Sequence, residues 1–184
     1  MQERRTVAPL SPAGSGDNRA RRRYGVVAAV AAVVVALDQL TKWWAVRTLD
    51  DRNIDVFWTL RFHLSYNTGM AFSRGQDWGP LIGVIALVIV VVLLLSVKRT
   101  ASRLSEITVG LIIGGAIGNI IDRLVRDPGW LRGGVVDFVD FQWFPIFNVA
   151  DMAITIGGGL LILTSYLGAR RAHAAPASPH IEAP

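Results

Sequence analysis

The 184 residues are 52% hydrophobic and only 18% charged, with a mean hydropathy of +0.40 and a formal net charge of +5. That length fits one domain, and the apolar residues fall in long runs rather than in alternation, which argues for a membrane protein over a soluble core. Cysteine is absent, which excludes disulfides, thiolate nucleophiles and Cys-built zinc or iron–sulfur sites. The three histidines, His63, His173 and His180, are scattered, which argues against a His-rich metal site or a Ser-His-Asp triad. The arginines flank hydrophobic runs, so the basic balance reads as membrane orientation rather than as nucleic-acid binding.

Residues 1–23 are rich in Pro, Gly, Ser and charge and read as a disordered basic tail. Arg21-Arg22-Arg23 precedes a first span over about 24–46. Its opening resembles a secretory signal peptide, but the continuation D-Q-L-T-K-W-W-A-V lacks a small-residue cleavage site. Asp38 and Lys42 are four apart and share a helix face. Locally they read as an ion pair at the membrane interface, with Trp43 and Trp44 in an aromatic belt.

Asp50 to Asp77 is too polar to span. The alternation in V-F-W-T-L-R-F-H-L-S-Y predicts short strands, and Asn67-Thr68-Gly69 is a turn signal. The expected form is a small extracytoplasmic sheet lying on the membrane surface. Pro80 in a first helical turn opens a second span over 80–97, charge-free from Leu81 to Val97. The third, over 104–123, carries Gly110, Gly114 and Gly118 on one face for close packing. Asn119, Asp122 and Arg123 follow in its last turn, where a carboxylate opposes the helix dipole. Asp122 therefore needs a partner, with Arg123 or Lys42 as candidates.

Val135 to Phe141 alternates with period two, so Asp137 and Asp140 face opposite sides if that stretch is extended and the same side if it is helical. The fourth span covers 148–167. Asn148 reads as its N-cap with Asp151 at N3, a capping-box pattern. Residues 169–184 read as a second disordered tail, leaving 24–168 as one four-helix transmembrane domain.

Four spans put both termini on one side. Four arginines in Arg19–Arg23 and three basic residues in Lys98–Arg103 assign that side to the cytoplasm. Asp38, Asn67, Asp122, Asp137 and Asp151 then converge at the extracytoplasmic end. With neither Cys nor a plausible His site, the available catalytic groups are carboxylates. Two close aspartates share a proton, so one can activate water while the other protonates a carbonyl oxygen.

The ordered set D-Q-L-T-K (38–42), N-T-G-M-A-F (67–72), G-N-I-I-D-R (118–123), V-V-D-F (135–138) and F-N-V-A-D (147–151) resembles lipoprotein signal peptidase, or signal peptidase II, over about residues 24–168. The resemblance implies an aspartyl endopeptidase of the bacterial inner membrane, working without cofactor or metal. It would cut diacylglyceryl-modified prolipoproteins just before the lipid-modified cysteine and be inhibited by the cyclic peptide globomycin. Motif by motif, it assigns the dyad to Asp137 and Asp151. It places Asn67, Asn119, Arg123 and Asn148 around the substrate, and makes Asp38, Lys42 and Asp122 supports, with Arg123 as the countercharge to Asp122. Membrane lipids and lipoprotein substrates are the expected partners of a monomer, with no nucleic acid. Three other readings compete. A transporter or ion-conducting bundle predicts charge at mid-membrane depth. A presenilin-like protease would carry a G-x-G-D motif within a membrane span, and the one match here, Gly14-Ser15-Gly16-Asp17, precedes the first span. A purely structural membrane anchor would treat the polar clusters as caps and interface pairs.

Overall fold

The computed structural model describes residues 15–69, 78–100 and 102–174. In chain order it contains α1 (Ser15–Thr48), β1 (Ile54–Phe57), β2 (Leu60–Asn67), α2 (Gly79–Ser96), α3 (Arg103–Val125), β3 (Val135–Asp140) and α4 (Val149–Ala174), with a 3-10 turn at Val97–Arg99 extending α2. The helices include four segments long and apolar enough to cross a membrane, at 18–48, 79–99, 103–125 and 149–170.

Two boundaries differ from the sequence reading. Helix α1 begins at Ser15, so residues 15–23 are helical rather than part of a disordered tail, and α4 runs on to Ala174. Arginine and alanine are strong helix formers, and neither stretch contains a proline to stop propagation from the span beside it. Residues 1–14 and 175–184 lie outside the described residues, as do Met70, Ala71 and Phe72 of the N-T-G-M-A-F stretch.

Helix α3 is the axis of the bundle and packs against the other three. Its glycines explain the closeness. A methyl group on Gly110 would meet Val30 Cβ at 2.7 Å, and one on Gly114 would meet Val34 Cβ at 2.8 Å. The glycine stripe is thus the α1–α3 seam. On another face, Gly115 lies directly against the Ala150 carbonyl of α4. Helix α2 packs more loosely and turns residues such as Val88, Val92 and Leu95 outward, as a lipid-facing span does.

The three strands form one antiparallel sheet in the order β1-β2-β3. It sits over the C-terminal end of α1, where Trp44 meets Phe62 and Phe138 edge-on, with centroids 5.4 and 6.1 Å away. Trp44 therefore belongs to the core beneath the sheet rather than to an aromatic belt, whereas Trp43 is exposed as expected. The predicted strands in 50–77 are present. The sequence did not reveal that residues 135–140 join them as the third strand.

Candidate active site

Strand β3 resolves the alternation question, because an extended backbone sends Asp137 and Asp140 to opposite faces. Asp137 pairs in register with Ser65, and Asp140 with Arg61. Asp140 accepts hydrogen bonds from Arg61 Nε at 2.7 Å and from the Gln142 amide at 2.6 Å. Burial works against its ionisation, but these bonds and the Arg61 charge hold it below the ordinary carboxylate range. It takes no part in the cluster described next.

Asp137 is buried. Its Oδ1 accepts from Asn148 Nδ2 at 2.6 Å and its Oδ2 from Asn67 Nδ2 at 3.3 Å. Asp151 accepts from Asn119 Nδ2 at 2.8 Å and from the Asn148 backbone amide at 3.2 Å. Asn148 Oδ1 in turn accepts from the Asp151 amide at 2.9 Å. That reciprocal pair is the capping box read from F-N-V-A-D, so the cap and the cluster are one arrangement. Among the described residues, neither carboxylate forms an ion pair. Burial first, and then the charge of Asp151, push the Asp137 carboxyl up to about 7, against the opposing hydrogen bonds from Asn148 and Asn67.

Behind this pair lies a second cluster, in which Asp38, Lys42 and Asp122 are fully buried. Lys42 Nζ donates to Asp38 Oδ2 at 2.8 Å, to Asp122 Oδ2 at 2.9 Å and to Asn119 Oδ1 at 2.9 Å. An ammonium has three donors, and all three are engaged. Asp38 Oδ1 accepts the Ala150 amide at 2.9 Å, placing a negative charge at the N-terminus of α4. Asp122 also receives Arg126 Nε at 3.0 Å and the Val136 amide at 3.1 Å, tying α3 to the start of β3.

Two expectations change here. Asp38 and Lys42 are 0% exposed, so they are not an interface pair. The partners of Asp122 are Lys42 and Arg126, not Arg123. Adjacent helix positions point about 100° apart, whereas i and i+4 share a face. That spacing rule was the available signal for Arg126, which the sequence reading missed. Gln39 was missed too. It donates to Asp38 at 3.2 Å and to the Gly118 carbonyl at 3.1 Å, and nothing in its spacing points to either contact.

Arg123 is buried, yet among the described residues its Nη1 has no hydrogen-bond partner. It borders a cavity of about 290 Å³ shared with Asn67, Asn119, Asp137 and Asp151. Ile82, Ile120 and Ile154 supply apolar walls from α2, α3 and α4. Asn148, Asp38, Lys42 and Asp122 do not line it, so Asn148 braces the two aspartates from behind rather than bordering the space a substrate would enter. Among the described residues, no cluster of three or more His, Asp or Glu side chains is arranged to hold a metal ion. A cavity with two carboxylates, three amide or guanidinium side chains and hydrocarbon walls is suited to acid–base work on an apolar substrate.

The sequence profile described as Signal peptidase (SPase) II matches residues 30–167. The chain belongs to the signal peptidase II family. The lipoprotein signal peptidase of Shouchella clausii is 42% identical over 146 residues, covering 77% of this chain and 93% of that protein. The one from Mycobacterium avium is 38% identical over 164 residues, covering 87% and 90%. A bacterial membrane enzyme solved by the in meso method at 2.3 Å superposes with a TM-score of 0.70 at 28% identity, covering 84% of this chain and 95% of that one. A second, at 1.9 Å, gives 0.64 at 30% identity, covering 76% and 92%. Signal peptidase II membership makes this a peptidase, and four apolar helices with membrane-enzyme neighbours make it a multi-pass membrane protein.

Proposed function

We propose that this peptidase removes signal peptides from diacylglyceryl-modified prolipoproteins, cutting just before the lipid-modified cysteine, with Asp137 and Asp151 as its acid–base dyad. One observation carries the assignment. Two carboxylates from different elements border one apolar-walled cavity and accept their hydrogen bonds from amides, and among the described residues neither forms an ion pair.

Asp151, in the first turn of α4, serves as the base, its carboxylate held in place by Asn119 and the Asn148 amide. Asp137 keeps the shared proton near neutral pH and serves as the acid. Water attacks the scissile carbonyl carbon as Asp151 takes its proton and Asp137 protonates the carbonyl oxygen. When the C–N bond breaks, the amine leaves with the proton from Asp151, and the intermediate's hydroxyl returns a proton to Asp137. Titration belongs to the pair rather than to either member. The vacant donor of Arg123 offers a hydrogen bond to a substrate backbone carbonyl in the same cavity. Asn67 and Asn119 line the cavity and orient the dyad, Asn148 couples its members, and Asp38, Lys42 and Asp122 hold the spans that carry it.

On this reading the enzyme works as a monomer in the bacterial inner membrane. Its termini are cytoplasmic and its dyad lies at the extracytoplasmic face, as the basic flanks of the spans support. The test is incubation of purified protein with a prolipoprotein carrying diacylglycerol and with its unmodified form. Cleavage of the modified form alone, blocked by globomycin, is the expected result. Failure to cleave either form removes the assignment.

A further inference from the structure

The far edge of the sheet carries a feature that hydrolysis does not use. Phe57 is 78% exposed, Trp58 88%, Trp143 70% and Phe144 52%. Phe57 ends β1, Trp58 opens the β1–β2 turn and the others follow β3, so about 85 residues of sequence separate the pairs. They are nevertheless joined. Trp143 Nε1 donates to Thr59 Oγ1 at 3.3 Å, and Gln142 Nε2 to the Thr59 carbonyl at 3.0 Å. Below these contacts, Arg61 and Asp140 bridge β2 and β3 at 2.7 Å. Trp143 and Phe144 stand 6.0 Å apart in the aromatic chain that leads back through Phe147 to α4.

Trp58 and Gln142 both take left-handed backbone conformations, with φ of 50° and 66°. Neither residue favours that region. Strain at two braced turns whose outcome is aromatic exposure points to a use for the exposure. Aromatic side chains bury roughly 150–250 Å² each when covered, so four of them in water would be a marked liability. In a chain with four spanning helices, the medium available to cover them is the lipid interface, where tryptophan and phenylalanine are stable.

We propose that Phe57, Trp58, Trp143 and Phe144 form a single interfacial anchor that inserts into the headgroup–acyl boundary beside the helix bundle and fixes the distal edge of the sheet to the bilayer. Asp140, which belongs to neither polar cluster, braces it through Arg61. The sheet that carries Asp137 is then held at one end by α3 and α4 and at the other by lipid. The occupant is a lipid surface and not a protein, because the ring contacts run from Trp143 through Phe144 and Phe147 to the residues just before α4, a spanning helix, and the four residues themselves are uncharged.

The absence of cysteine allows a clean test. Single variants Trp58→Cys and Phe144→Cys carry a nitroxide label, with Val88→Cys as a mid-span reference and Asp51→Cys as an aqueous one. All four are reconstituted in liposomes of phosphatidylcholine and phosphatidylglycerol that contain no other protein. Relaxation by oxygen is compared with relaxation by a water-soluble nickel chelate. Labels at 58 and 144 are expected at a depth between the two references, with oxygen accessibility exceeding that of the chelate. Monodisperse elution in detergent confirms that each variant is folded. Chelate accessibility at either position equal to that at 51 would overturn the proposal, and is the result expected if the patch instead awaits a protein.

Discussion

Two polar clusters occupy the same end of the bundle and share Asn119, yet their chemistry is opposite. Around Lys42, two carboxylates face two cations and the three ammonium donors are all engaged, so charge and hydrogen bonding both close. Around Asp137 and Asp151, the hydrogen bonds come from amides, and among the described residues neither carboxylate forms an ion pair. A closed network of buried charge resists change and orders the helices that contribute to it. Two close acids with no ion-pair partner favour holding a proton between them, and on the proposed mechanism that proton is what hydrolysis uses. Asn119 joins the two, with its oxygen on Lys42 and its nitrogen on Asp151. Burial of charge alone therefore does not mark a reactive group. What separates the two clusters is that, among the described residues, only the first contains direct ion pairs.

The contrast can be broken most completely at the dyad. Asp137→Asn or Asp151→Asn should each lower cleavage of lipid-modified prolipoprotein by at least the roughly 10²–10⁴-fold typical of acid–base groups, while expression, membrane insertion and thermal unfolding in detergent stay near wild type. Retained turnover in either variant would sink the assignment.

The Lys42 cluster should respond through stability instead. Lys42→Met leaves Asp38 without its cation, and removing one partner of a buried pair costs on the order of 3–5 kcal/mol. Thermal unfolding should fall accordingly. Adding Asp38→Asn should recover part of the loss, because the uncompensated charge is gone. A double variant no better than the single one would show that the cluster's charges do not act together.

The smallest expected effect sharpens the comparison. Asp137 holds its proton up to about 7 in the folded protein, against an ordinary value of 3.8. The native state thus binds this proton more tightly than the unfolded chain does. Its contribution to stability is lost as pH rises through that window, and activity that needs the proton should decline above about pH 7. Asn67 donates to the ionised form, so Asn67→Ala should move the alkaline limb of the pH–rate profile upward by a fraction of a unit. A limb that moves down or stays put would mean that the limb reports some other group.

Much of this was legible in the chain itself. Apolar runs located the spans, because hydrocarbon thickness dictates their length. The four-residue spacing of Gly110, Gly114 and Gly118 announced a helix seam, and the spacing of Asn148 and Asp151 announced a cap. What the sequence could not show were contacts between distant segments. The β2–β3 pairing joins residues about 70 apart, and local alternation says that a strand exists without naming its neighbour. Likewise, D-Q-L-T-K states that Asp38 and Lys42 share a face, but burial against α3 and α4 decides that they form a core rather than a rim. The pairing of Arg123 with Asp122 was misread for the opposite reason. Proximity in sequence to Asp122 looked like pairing, while helix geometry sends its guanidinium to the cavity.

The hydrogen bond from the Ala150 amide to Asp38 spans 112 positions of the chain. During synthesis, the first helix is made long before the last. Until α4 arrives, Asp38 lacks one of its native partners, Asn119 has no Asp151 to hold, and Asp137 has no second acid. On the proposed dyad, the acid pair is therefore complete only once α4 has joined the bundle.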